Sequence, residues 1–192
     1  MSTIQILDRK TLSDKKYPLQ YISYEQPDHE GKMHESEGEV YFRPDAVAVL
    51  LVDINAKKLL LTKQFRLPAF LNGNEKGYLI ETIAGIMDEI ELPEETARRE
   101  VKEETGYEVE SLEKFGGVYT SVGGITEFVH LFTGTYTSDS THATYGGLMD
   151  EGEDIELIEM AFEEAREKLS RHEFIDAKTV ILLQNFYLNH DL

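Results

Sequence analysis

The spacing of apolar residues changes several times along the chain. In the first 43 residues the apolar runs are short and alternating: Ile4-Gln5-Ile6-Leu7, then Leu19-Gln20-Tyr21-Ile22-Ser23-Tyr24, then Val40-Tyr41-Phe42. Polar, turn-rich pieces separate them, Ser13 to Lys16 and Gln26 to Gly38. This pattern predicts an antiparallel strand meander over 1–43. So small a sheet is marginal alone, so we expect it to pack on the main domain or on a second subunit. From Ala46 the pattern is different. Residues 46–52 are nearly all apolar, and Leu59-Leu60-Leu61 follows after a polar stretch, 53–58. Two such runs around a polar turn predict a hairpin covered on both faces. Its second strand continues to Arg66, and turn formers at 72–77 lead to a strand over 78–84.

The period then lengthens. Residues 93–106 have helical character, with Pro93 suited to the first turn, Glu94 and Glu95 at the positive end of the dipole, and Gly106 as the stop. Strands are predicted over 112–119 and 128–136, with Ser121 to Thr126 between them. The polar, glycine-bearing loop 137–153 is long enough to read as functional or mobile. A strand over 154–162 precedes two helices, 162–171 and 176–188, the second carrying Val180, Leu183, Phe186 and Tyr187 on one face. The sum is an α+β arrangement, a mixed sheet with a few helices packed on it. Two domains are expected: the meander, 1–43, and a main domain, 44–192.

Composition narrows the partners. The chain has 192 residues, 41% of them hydrophobic and 10% aromatic, as in ordinary globular proteins. No apolar run approaches the roughly eighteen residues of a membrane span, and the start, Met-Ser-Thr-Ile-Gln, lacks a signal-peptide layout. Cysteine is absent, which excludes disulfides, zinc-thiolate sites and thiol nucleophiles, and fits a cytoplasmic setting. The formal net charge is −18, from 37 acidic and 19 basic residues. Such a surface repels nucleic acid and anionic membranes. A phosphate-bearing substrate would need bound cations or a few well-placed arginines and lysines.

The helix supplies acids for that purpose. At about 100° per residue, Glu100 and Glu104 are one turn apart on one face with Glu103 beside them, and Ala97 and Val101 form the adjoining apolar stripe. Like charges at this spacing oppose the helix unless something neutralises them. A hard divalent cation such as Mg2+ does so, shared between one or two carboxylates and substrate phosphates. Read alone, the helix is first of all a solvated one laced with ion pairs, Glu95–Arg99 and Arg99–Glu103.

Loop and helix together decide between these. Gly85, five residues, Glu91, seven residues, Arg99-Glu100-Val101, one residue, Glu103-Glu104, one residue, Gly106-Tyr107: this resembles the Nudix box at every defined position. Usual residue frequencies put a chance match on the order of one in a billion per start position. The resemblance implies an α/β/α sandwich and hydrolysis of a nucleoside diphosphate linked to another moiety. It also implies Mg2+ or Mn2+ held by Glu100 and Glu104, with Glu103 beside them and the Ala84 carbonyl as a further ligand. A base on a loop outside the box is usual in the family.

Beyond the box, the chain is similar to the Nudix branch that cleaves nucleotide sugars, and most of all to its GDP-mannose-cleaving group. The matching pieces are Ser13-Asp14 with Tyr17, Gln64-Phe65-Arg66, Asn72-Gly73-Asn74-Glu75, Gly123 to Glu127, Glu153 to Glu156, and Asp176-Ala177-Lys178-Thr179. The resemblance implies that Tyr17 and Arg66 contact substrate, that Glu127 and Lys178 line the pocket, and that Glu39 lies in a nucleotide-contacting segment. It makes Glu153 a metal ligand or base, with Asp150 and Glu151 as alternatives for the loop acid and Glu103 and Glu104 as further catalytic carboxylates. It also implies a homodimer whose N-terminal strands are exchanged or shared. Two departures bear on substrate. The group tends to carry a basic pair where this chain has Glu37 and Gly38, and the ADP-ribose branch has a proline where this chain has Val122. The expected reaction is GDP-mannose to GMP and mannose 1-phosphate; ADP-ribose, another ADP- or UDP-sugar, or a non-catalytic nucleotide-binding module are the alternatives.

Overall fold

A computed structural model of the chain describes residues 3–138, 144–147 and 154–190. The chain divides into two compact units.

The first unit comprises the chain up to Asp45 together with Tyr119–Phe128. Its strands β1 (Gln5–Ser13), β2 (Leu19–Pro27) and β3 (Met33–Tyr41) form an antiparallel sheet in the order β1-β2-β3. The meander is therefore present, but β3 begins seven residues earlier than Val40, inside the stretch expected to be turn. That segment, Met33-His34-Glu35-Ser36-Glu37-Gly38-Glu39, has almost no apolar residues to betray a strand. Its pairing is imposed by β2, which it follows without a break from Leu19↔Tyr41 to Pro27↔Met33. The inserted segment 119–128 joins the end of β3 through Tyr41 N–H to the Gly124 carbonyl at 2.8 Å and Thr126 N–H to the Tyr41 carbonyl at 3.2 Å.

The second unit comprises Ala46–Val118 and Val129–Leu192. Its frame is a mixed sheet containing β4 (Ala46–Asp53), β5 (Lys58–Phe65), β6 (Tyr78–Glu81), β7 (Ile83–Ile86), β8 (Ser111–Tyr119), β9 (Phe128–Thr135), β10 (Tyr145–Gly146) and β11 (Ile155–Ala161). The main path runs β10-β11-β5-β4-β9-β8, with β6 on β5 and β7 on β4. β4 and β9 pair in parallel, and the expected hairpin β4–β5 is antiparallel, Leu51↔Leu60 to Asp53↔Lys58.

Every residue of β4 is buried, and its alternation splits the core in two. Ala46, Ala48, Leu50 and Val52 face one cluster, completed by Phe162 and Ala165 of α3 (Phe162–Ser170) and Leu182, Leu183 and Phe186 of α4 (Ala177–Asn189). Val47, Val49 and Leu51 face the other, completed by Ala97 and Val101 of α2 (Pro93–Thr105). Because successive strand side chains point to opposite faces, a run without polar residues has to be covered twice. The result is the α/β/α layering expected of the fold. A short helix, α1 (Leu67–Leu71), follows Arg66 and was not legible in the sequence; its five residues are too few to show a period. Among the described residues no helix is long and apolar enough to cross a membrane.

Candidate active site

Helix α2 begins at Pro93, and its entry is fixed by Glu95, whose carboxylate accepts the Leu92 N–H at 3.0 Å. It ends at Gly106, whose φ of 75° is the left-handed conformation glycine reaches without a Cβ penalty. Between these ends the acids are organised by one cation. Arg99 donates to Glu91 from Nε at 3.0 Å and from Nη2 at 3.0 Å, to Glu100 at 2.8 Å, and to Glu103 at 2.9 Å. Its Nη2 also donates to the Ile86 carbonyl at 3.3 Å. The hydrogen bonds from Arg99, with one from Thr96, hold the Glu91 carboxyl below the usual carboxylate range. Reciprocally, the bond to Glu91 leads the interactions that raise Arg99, against the opposing effect of burial. Of the two ion pairs expected for a solvated helix, Arg99–Glu103 forms; Glu95 instead caps the helix, and the loop residue Glu91 takes its place on Arg99.

Gly85 explains why the loop must open on glycine. A Cβ built there would lie 1.8 Å from Glu100 Cδ and 2.0 and 2.2 Å from its two carboxylate oxygens. The carboxylate thus occupies the space a side chain would fill, flat against strand β7, which also carries Ala84. Glu104 is buried, 3% exposed, on the turn that follows. A second close approach pins the end of the helix: a Cβ on Gly146 would lie 1.6 Å from the Glu104 carbonyl oxygen.

Glu100 and Glu104 offer carboxylates, hard oxygens that would fit Mg2+ or Mn2+ and do not suit a soft metal. Among the described residues no three acidic or histidine side chains converge into a ready-made cage. That is compatible with Mg2+, which usually takes one or two carboxylates and completes its shell with water and substrate phosphates. The loop acids Asp150, Glu151 and Glu153 lie outside the described residues.

The expected substrate contacts fall into two groups. In the second unit, Arg66 and Lys178 meet on one carboxylate, Glu81. Arg66 Nε and Nη2 lie 2.6 and 3.0 Å from its two oxygens, and Lys178 Nζ lies 2.5 Å from Oε2. Burial works against the Arg66 charge, but Glu81, then Glu104 and Asp176, raise its pKa overall. In the first unit, Tyr17 packs edge-on to Tyr41 with centroids 6.1 Å apart, and the Arg43 guanidinium stands 5.3 Å from the Tyr17 ring centre. Arg43 Nε is also 3.3 Å from Glu127 Oε1, and its backbone N–H and carbonyl both engage Thr126 Oγ1 at 2.9 Å. One arginine therefore links Tyr17 to Glu127. Glu39 is exposed on β3 opposite Tyr21, and Glu37, two residues before it, accepts a hydrogen bond from the Tyr21 hydroxyl that raises the phenol's pKa.

Glu81 and Arg43 were missed by the sequence reading. Glu81 had a signal, a lone acid in the apolar strand Leu79-Ile80-Glu81-Thr82-Ile83; a charge at a buried strand position needs a partner. Arg43 had none beyond its position after Tyr41-Phe42.

Residues 42–183 match the NUDIX domain. A GDP-mannose pyrophosphatase of Cronobacter sakazakii is 42% identical over 185 residues, covering 96% of this chain and 95% of the relative. Proteins of the same name from Escherichia coli O1:K1 / APEC and Salmonella arizonae are 41% and 40% identical over 187 residues, each covering 97% of this chain and 96% of the relative. With the NUDIX domain matched over residues 42–183, most of the chain, and relatives 40–42% identical over nearly its whole length, the chain belongs to the Nudix family.

Proposed function

We propose that the chain hydrolyses the pyrophosphate bond of a nucleoside diphosphate sugar in a divalent-metal-dependent reaction, converting GDP-mannose to GMP and mannose 1-phosphate. The observation that carries the reading is the extent of the likeness: 40–42% identity to GDP-mannose pyrophosphatases over 96–97% of the chain. It includes the N-terminal strands as well as the box.

In this reading Glu100, Glu104, the Ala84 carbonyl and Glu153 hold Mg2+ or Mn2+, which when bound neutralises phosphoryl charge and lowers the pKa of water. The chain's own residues do the rest. Arg66 and Lys178 take the anionic diphosphate, and Tyr17 offers a flat face to the nucleotide, with Glu39 and Glu127 accepting hydrogen bonds from base or sugar. Water forms a bond to one phosphorus as the bridging P–O bond breaks. Its proton passes to a carboxylate, Glu153 first, with Glu103 and Glu104 as the further acids. Arg99 keeps Glu100 and Glu103 in one geometry throughout, so that no reorganisation is needed at the moment of reaction. The test is a panel of nucleotide sugars assayed with Mg2+ in H2(18)O. The expected result is highest kcat/KM on GDP-mannose with label in one product; ADP-ribose as the best substrate, or no turnover of any, would overturn the reading.

The same reading makes residues 1–43 a dimerisation element and 44–192 the hydrolase domain of a cytoplasmic homodimer. In its support, β1 is an open sheet edge whose Ile4-to-Leu12 segment exposes Ile4, Ile6, Leu7 and Leu12. The second unit exposes Phe65, Leu67, Phe70, Leu71 and Tyr78 around α1. An open edge can pair with another chain, and a large exposed apolar patch marks an interaction surface. Light scattering on the purified protein should give twice the 22.0 kDa chain mass, and Leu7→Asp should shift it toward monomer.

A further inference from the structure

Glu81 is a carboxylate with only 2% of its side chain exposed, on a strand whose other work is to carry the chain into the metal-binding loop. Two cations from distant parts of the second unit converge on it. Arg66, at the end of β5, forks onto both oxygens at 2.6 and 3.0 Å; Lys178, in the first turn of α4, reaches Oε2 at 2.5 Å. Lys178 is held a second time by Asp176 Oδ1 at 2.7 Å. Asp176 is itself fixed, because its other oxygen accepts the Thr179 N–H at 2.9 Å and hydroxyl at 2.6 Å, while Thr179 Oγ1 accepts the Thr82 N–H at 2.8 Å. The residue after Glu81 is thereby tied to the same helix end as Lys178.

Stability alone is a poor reason for this construction. Desolvating two pairs of ions consumes most of what their attraction returns, and apolar residues of similar volume usually do as well. What the network does provide is immobility. Arginine and lysine carry large rotamer entropies, and a binding site built from free ones must freeze them when substrate arrives. Here that ordering is complete beforehand. Arg66 retains 38% side-chain exposure, and its Nη1 makes no hydrogen bond to any described residue.

We propose that Glu81 is a positioning residue for substrate recognition: it holds Arg66 and Lys178 as one rigid cationic pair that receives the substrate's phosphate oxygens. This rests on the reading of Arg66 and Lys178 as substrate contacts. It differs from simple electrostatics in sign. Glu81, Glu104 and Asp176 all act on Arg66 or Lys178, so removing the Glu81 charge makes the site less negative. If charge alone governed binding, Glu81→Gln would tighten the hold on an anionic substrate. If positioning governs it, Glu81→Gln loosens the pair and weakens that hold.

The experiment is steady-state kinetics on a nucleotide sugar with Mg2+ for the wild type, Glu81→Gln, Arg66→Lys and Arg66→Met, with melting curves to establish folding. Glu81→Gln is expected to raise KM about tenfold or more while kcat stays within about threefold, the size of effect a lost charge-assisted hydrogen bond gives. Arg66→Lys is expected to raise KM similarly although the charge is kept, because a lysine cannot make the two-pronged contact. A lowered or unchanged KM in folded Glu81→Gln, with KM raised in Arg66→Met, overturns this proposal and leaves the substrate reading standing. An unchanged KM in Arg66→Met overturns the substrate role of Arg66 itself, and with it the proposal. Should Glu81→Gln not fold, Arg66→Lys decides: an unchanged KM there overturns the proposal.

Discussion

The Glu100 carboxylate lies in the space that a side chain on Gly85 would occupy, with its Cδ only 1.8 Å from the position of the missing Cβ. Gly85 has no positive φ and is not needed for a turn. Its role is to be absent. A methyl group there meets the far end of a flexible side chain, so the helix and sheet survive and the carboxylate moves. Gly85→Ala should therefore leave the melting temperature nearly unchanged and lower kcat/KM on the order of 10²-fold, as expected of an ångström-scale displacement of a catalytic group. Circular dichroism melts beside the kinetics check both halves, and a wild-type kcat/KM would contradict the assignment of Glu100.

Removing the Arg99 guanidinium leaves Glu91, Glu100 and Glu103 without their shared counter-charge. The side chain is 30% exposed, so solvent screens part of the effect. Arg99→Met should cost about 1–3 kcal/mol in urea unfolding, the range for charge-assisted hydrogen bonds. Because the Glu91 bond ties the loop to the helix, Glu91→Gln should reproduce a good part of that loss, and the double variant should lose less than the sum of the two.

Asp53 closes the β4–β5 turn. Its Oδ1 accepts the Ala56 N–H at 2.8 Å, and Oδ2 accepts the Ser138 N–H at 2.8 Å and hydroxyl at 2.7 Å. Burial favours its protonation, but the bonds from Ala56 and Ser138 prevail and its pKa is lowered. A group depressed on folding contributes stability that is complete above its unfolded pKa of about 3.9 and is lost as pH falls through the folded value. Asp53→Ala should lower stability by about 1–3 kcal/mol at pH 7. The deficit should shrink below about pH 4, measured as the difference between wild-type and variant unfolding curves. A deficit independent of pH over that window would show that the ionised carboxylate is not what matters.

Chelation tests the metal assignment. Excess EDTA should abolish turnover, and Mg2+ or Mn2+ should restore it. Glu100→Gln should lower kcat/KM about 10²–10³-fold at saturating Mg2+, the usual cost of losing one preorganised electrostatic group. Isothermal titration of the metal into Glu100→Gln should show weakened binding, and unaltered binding would move the ligand elsewhere.

Much of this is legible in the sequence itself. The unbroken apolar run from Ala46 to Val52 required cover on two faces, and α2 lies on one while α3 and α4 lie on the other. Glycine, proline and acid spacing over 85–107 set the start of α2, its stop and the Arg99–Glu103 pair. These are local properties, governed by periodicity and by backbone chemistry within a few residues. What the spacing did not reveal was choice of partner. Glu95 and Glu91 were both within reach of Arg99 in sequence, and only the folded loop assigns Glu91 to Arg99 and Glu95 to the helix cap. The strand Met33–Tyr41 has almost no pattern of its own and exists because β2 offers it an edge. Glu81 lies fifteen residues from Arg66 and 97 from Lys178, yet one buried carboxylate binds both. Which of many similar charges meet is decided when distant segments are packed and dehydrated together, because only there does an unpaired charge become costly enough to select its partner.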